Sequence, residues 1–131
     1  MVHDTRFTFG KRERMVSLKL IDSLFGGGSS RSVAAFPLRA VYIKKERAQG
    51  DAPVQMLVSV PKKRFKHAVD RNRVKRQVRE AFRQHKQLLY AALGEHEQLL
   101  LAFIWLSDDH RPSQDVESRV VSLMQRIAEK L

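Results

Sequence analysis

The chain contains no cysteine. That excludes disulfides, a thiolate metal site and a thiol nucleophile, and it fits a reducing compartment. Glycine and proline are sparse, 6 and 4 in 131 residues, and no linker rich in them divides the chain. One domain able to bury its own core is therefore expected. No apolar run approaches the roughly 20 residues that span a bilayer. The longest, Leu99 to Leu106, has the length of a buried strand. The opening MVHDTRFTFGKRER has no apolar core of a secretory signal, so a cytoplasmic location is expected. Gly26-Gly27-Gly28 lacks the Gly-Lys-Ser/Thr that completes a phosphate-binding P-loop. The five histidines, His3, His67, His85, His96 and His110, show no metal-ligand spacing. Asp108-Asp109 sits in turn-like sequence and reads as a solvated pair rather than a metal-binding one. A self-sufficient nuclease therefore lacks its usual groups.

Acidic residues are also scarce. Asp and Glu number 14 against 25 Lys and Arg, giving +11 and a pI of about 10.6. The imbalance is local. Val60 to Lys86 holds eleven cations (Lys62, Lys63, Arg64, Lys66, Arg71, Arg73, Lys75, Arg76, Arg79, Arg83 and Lys86) against Asp70 and Glu80, a net +9. Such a surface favours a polyanion, nucleic acid before membrane, because the stretch lacks the exposed apolar face of a membrane-surface helix.

Residues 1–10 read as a loosely held arm, with Phe7 and Phe9 tacked onto the fold, and residues 11–131 as the domain. Met15, Leu18, Ile21, Leu24 and Phe25 recur at helical spacing from Lys11 to Phe25, and the glycine triplet ends that helix. Two extended pieces follow, Val33–Phe36 and Leu38–Lys44, the second alternating Leu38, Ala40 and Tyr42 against Arg39, Val41 and Ile43. The polar segment 46–53 reads as a hairpin connection, and Val54–Val60 has the apolar profile of a central strand. A helix is expected from an Asp70 N-cap to about Leu93, stopped by Gly94. At 100° per residue, Val74, Val78, Ala81, Phe82, Leu88, Leu89 and Ala92 share one arc, with His85 among them. Lys75, Arg76, Arg79, Arg83 and Lys86 share the next, with Asn72 near its centre and Glu80 placed to pair with Arg76 or Arg73. A strand at Leu99–Leu106 and an amphipathic helix at Asp115–Leu131 complete an α-β-β-β-α-β-α order, an α+β sandwich of a sheet covered by helices.

A cationic ridge on one helix neutralises phosphates and releases counterions, and arginine adds bidentate contacts. Asn72 adds an amide and the helix start its free N–H groups. RNA is favoured over DNA because a strand, not a second short helix, precedes the ridge.

Lys62-Lys63 and the run Ala68-Val69-Asp70-Arg71-Asn72-Arg73-Val74-Lys75-Arg76-Gln77-Val78-Arg79-Glu80-Ala81-Phe82 closely resemble the protein subunit of bacterial ribonuclease P. The inferred element order, from about Lys11 to Leu131, resembles that family's too. The resemblance implies a left-handed βαβ crossover in a ribosomal S5 domain 2-like fold, against the general hand of such units. It also implies that a partner RNA, using bound Mg²⁺, hydrolyses the phosphodiester that joins the 5′ leader to precursor tRNA. This chain would then be the accessory subunit of an endoribonuclease, with no catalytic residue of its own and a monomer in the holoenzyme that self-associates at most weakly when free. Lys62, Lys63, Arg71, Asn72, Arg73, Lys75, Arg76, Arg79 and Arg83 would face the RNA. Ile21, Phe25, Tyr42 and Lys63 would line a cleft for single-stranded leader, with Ile21 standing where the family often has an aromatic. The alternatives are a ribosomal-type structural RNA-binding protein, which composition alone does not exclude, and a DNA-binding module.

Overall fold

The structure is a computed structural model and describes residues 9–15, 17–26 and 28–131. The expected arm, with Phe7, falls largely on residues 1–8 and so outside the described residues. Phe9 packs edge-on against Phe82, ring centroids 5.7 Å apart.

The helical spacing from Lys11 onward splits in two. Lys11–Glu13 forms one 3-10 turn, and the helix α1 (Leu18–Gly26) begins only after an extended segment. In between, Arg14 bridges Met56 in parallel and the Met15 N–H donates to the Met56 carbonyl at 3.1 Å. At the break the Glu13 carboxylate turns inward to Lys86 and Tyr90. Gly28, at φ 71°, supplies the left-handed exit expected of the glycines after α1.

The strands are β1 (Arg31–Ala35), β2 (Leu38–Glu46), β3 (Val54–Ser59) and β4 (Glu97–Trp105), in the order β1-β2-β4-β3. The first two contacts in that order are antiparallel and β3 runs parallel to β4. Two sequence expectations are thereby corrected. Segment 46–53 is not a hairpin, since β4 lies between β2 and β3. Strand β3 is an edge, not a centre; its apolar character comes from burying Val54, Met56 and Val58 on one face, while the Arg14–Met15 segment covers its free backbone edge. The central strand is β4, whose residues Leu99 to Phe103 are buried on both faces.

Between β3 and β4 the chain forms α2 (Ala68–His85) and a short α3 (Gln87–Tyr90), and α4 (Ser113–Lys130) closes it. One sheet face carries Leu38, Ala40, Tyr42, Leu101, Phe103 and Trp105 and packs on Val74, Val78 and Phe82 of α2 and Val116, Val120 and Leu123 of α4. The other carries Val41, Leu100 and Ala102 and packs under Leu24 and Met15. Three layers result: α1, the sheet, and the α2–α4 pair. This is the expected α+β sandwich, with period-2 alternation deciding which residue of β2 meets which layer.

The long helix differs from expectation at both ends. His67, not Asp70, precedes its first turn. Asp70 sits inside that turn, its carboxylate 3.0 Å from Nε2 of His110, whose ring stacks on Phe65 at 4.4 Å. At the other end the helix is interrupted at Lys86 instead of running to Leu93.

Candidate nucleic-acid interface

The buried arc of α2 is Val74, Val78, Ala81 and Phe82. On the outward side Asn72, Arg76, Arg79, Glu80 and Arg83 line an open groove of about 370 Å³. Their spacings of three and four stack them along one face. The opposite wall is not helical. It is Phe9 and Arg14, from the segment ahead of α1. The Arg14 guanidinium lies 5.4 Å from the centre of the Phe9 ring, and Phe9 rests on Phe82. The pKa of Arg79 is lowered, first by partial burial and then by the neighbouring charge of Arg14. Two guanidiniums are thus held close enough to repel, an arrangement that an incoming phosphate relieves.

The expected cations fall into distinct positions. Arg76 and Arg79 are exposed in the groove with Asn72. Arg73 is exposed on the helix beside it, and Lys75 is half-buried at its flank. Arg83 lines the groove while holding Glu80 through paired contacts of 2.5 and 3.0 Å. Glu80 therefore pairs forward with Arg83, and with Gln84 at 3.0 Å, rather than back with Arg76 or Arg73. That hydrogen bonding lowers the Glu80 pKa and raises that of Arg83. Arg71 donates to the carbonyls of Phe65 and Lys66, both at 2.9 Å, fastening the loop that carries exposed Lys62 and Lys63 to the start of α2. Lys86 leaves the ridge. It is buried, with Nζ 2.8 and 2.9 Å from the Glu13 carboxylate.

The four residues expected to form a leader cleft are not all together. Ile21 and Phe25 are on α1. Ile21 packs partly buried toward the sheet and Phe25 is 48% exposed. Tyr42 lies on the other face of β2, buried in the α2–α4 layer, so it cannot stack in a cleft beside α1. Alternation places Val41 and Ile43 toward α1 instead. Leu57 and Ile104 are partly buried on that same face, and exposed Arg39 is in register with Ile104. Lys63 is exposed just past β3.

Sequence reasoning missed Arg14 and Phe9 as groove residues. The nearest signal is Glu13, a lone acid inside the basic run Lys11-Arg12-Glu13-Arg14, whose buried partner Lys86 is apparent only in the structure. Among the described residues no three His, Asp or Glu side chains gather to hold a metal ion, and no helix is long and apolar enough to cross a membrane.

The family model for ribonuclease P matches residues 9–128. The chain belongs to the ribonuclease P protein family. A relative from Porphyromonas gingivalis, described as ribonuclease P protein component, is 40% identical over 129 residues, covering 98% of this chain and 92% of its own. The solved RNase P protein of Staphylococcus aureus shares the fold at a TM-score of 0.64 and 17% identity, covering 88% of this chain and 94% of that one. The Thermotoga maritima RNase P protein does so at 0.62 and 20%, covering 87% and 96%. Membership in the ribonuclease P family makes the partner an RNA, and the groove on α2 is lined by four arginines, Arg14, Arg76, Arg79 and Arg83.

Proposed function

We propose that this chain is the protein component of ribonuclease P, docking the catalytic RNA along α2 and holding the 5′ leader of precursor tRNA beside α1. The observation that carries the reading is the groove of Arg14, Asn72, Arg76, Arg79 and Arg83, in which like charges converge with Glu80 as the one acid lining it among the described residues. Lys62, Lys63 and Arg73 extend the cationic surface around the start of α2, with Lys75 at its flank and Arg71 bracing the loop beneath. The chain supplies phosphate contacts and no hydrolytic group. Mg²⁺ is assigned to the RNA, whose phosphates the protein brings together by neutralising their repulsion. The working form is a cytoplasmic ribonucleoprotein with one copy of this chain.

The test is reconstitution with a bacterial ribonuclease P RNA and precursor tRNA across a Mg²⁺ series. Cleavage at the mature 5′ end is expected to persist at low Mg²⁺ only when the chain is present. Cleavage no better than with RNA alone would sink the reading and leave a structural RNA-binding role.

On the leader side the reading rests on Phe25, a half-exposed aromatic near the end of α1. One stacked base is worth about 1–3 kcal/mol. Phe25→Ala is therefore expected to weaken binding of leader-bearing precursor about tenfold while barely changing binding of mature tRNA. Equal losses for both RNAs, or an unfolded variant, would return Phe25 to a packing role.

A further inference from the structure

One charged cluster in the core is not used by the groove directly. Glu13 and Lys86 are almost wholly buried, at 8% and 3% side-chain exposure. The Glu13 carboxylate accepts from Lys86 Nζ, from the Tyr90 hydroxyl and, at 2.9 Å, from the Gly10 N–H. Lys86 also lies 5.4 Å from the centre of the Tyr90 ring. Burial and the adjoining Glu13 carboxylate raise the Tyr90 pKa, so its hydroxyl stays a donor. A buried ion pair is a weak source of net stability, because desolvation offsets its attraction, and apolar residues of similar size often do as well. What the pair does supply is a fixed geometry. Glu13 ties the ends of its own turn together through Gly10, and that turn carries Phe9 on one side and Arg14 on the other. Lys86 and Tyr90 anchor the turn to the end of α2 and to α3.

We propose that Glu13, Lys86 and Tyr90 form a clamp that positions Arg14 against α2, making Arg14 a phosphate-binding residue of the groove. The proposal rests on the groove being the RNA-docking surface. Arg14 and Arg79 repel, and the Met56 bridge fixes only the backbone of Arg14; without the clamp the turn ahead of it shifts, the Arg14 guanidinium leaves α2, and the groove loses one wall. The clamp holds the two guanidiniums in place before the RNA arrives, which spares the complex the cost of ordering them on binding. Its members do not touch RNA; they act through Arg14.

The test compares four proteins, wild type, Arg14→Ala, the apolar pair Glu13→Leu/Lys86→Met, and the triple variant. Each is titrated with ribonuclease P RNA over a salt series and melted alone. Arg14→Ala is expected to lower affinity about tenfold, the loss of one charge-assisted contact. It should also make the slope of log affinity against log salt shallower by about one. The apolar pair is expected to keep a wild-type-like melt yet show the same affinity loss and the same change of slope. Adding Arg14→Ala to it should then change nothing further, since Arg14 is already out of the groove. A folded apolar pair with wild-type affinity and slope overturns the clamp, as does full additivity of the two changes. Glu13→Gln, which keeps the side-chain shape, serves as a second variant and is expected to lose affinity in the same direction by less. Unchanged affinity there, with a wild-type melt, also overturns the clamp. A wild-type chain that fails to bind the RNA overturns the docking surface itself, a result distinct from wild-type binding that ignores the clamp.

Discussion

Arg76→Ala with Arg79→Ala is expected to weaken binding of ribonuclease P RNA by about a hundredfold, since each removes a charge-assisted contact worth about 1.5–3 kcal/mol. Both side chains are exposed in the groove, and among the described residues neither holds an acidic partner that would blunt its attraction for phosphate. The slope of log affinity against log salt should become shallower by about two, one per phosphate released. Folding should be untouched. Alanine is the best helix former, and exposed substitutions stay within about 0.5 kcal/mol. Arg79→Ala also removes the repulsion from Arg14 that contributes to its lowered pKa. Arg83→Ala makes the internal contrast. Its guanidinium is already engaged by Glu80, so its removal should matter less. Titration across salt, paired with a thermal melt, reads both quantities. Unchanged affinity and slope with an unchanged melt would take the centre of α2 out of the interface.

How far the sequence showed this surface depends on the range of the interaction that places each residue. Helical periodicity is local, so the arc of Val74, Val78, Ala81 and Phe82 and the ridge of Arg76, Arg79 and Arg83 were readable in advance, as was the inner face of α4. The family signature was readable for the same reason, since it lies within one helix. Features set by distant partners were not. Lys86 fits the ridge by its angle, yet it turns inward because Glu13, far away in sequence, meets it in the core. Arg14 looked like one more residue of an amphipathic helix until the bridge to Met56 fixed it as extended chain. Tyr42 is the case where the pattern held the answer in part. Alternation separated it correctly from Val41 and Ile43, but which face α1 would cover was decided by packing across the whole sheet. Strand order had no local signal at all. The apolar profile of β3 is equally that of a centre or of an edge that another segment covers, and only the strand order, with β4 on one side of β3 and the Arg14–Met15 segment on the other, distinguishes them.

Lys86→Met alone is expected to be the most destabilising of the changes considered, by about 3–5 kcal/mol, because it strands a buried carboxylate. With Nζ gone, Glu13 keeps the Gly10 N–H and the Tyr90 hydroxyl as donors but has lost its counter-ion in a site almost closed to water. For a domain of this size that corresponds to a fall in melting temperature of about 10 °C or more. Methionine fills nearly the space of the lysine stem, so a cavity does not account for the loss. Changing Glu13→Leu as well removes the stranded charge and is expected to restore most of the stability, the signature of a coupled buried pair. Denaturant unfolding of the two single variants and the double one closes the cycle. If Lys86→Met stays within about 1 kcal/mol of wild type, the pair is hydrated and behaves as a surface ion pair. The turn from Lys11 to Glu13 would then be held by Phe9, the Met56 bridge and the Gln55 amide that donates to the Arg12 carbonyl. If the cycle shows strong coupling, the same two residues that look like excess charge in a basic chain are what fix its N-terminal segment to α2, and the shape of the groove follows from them.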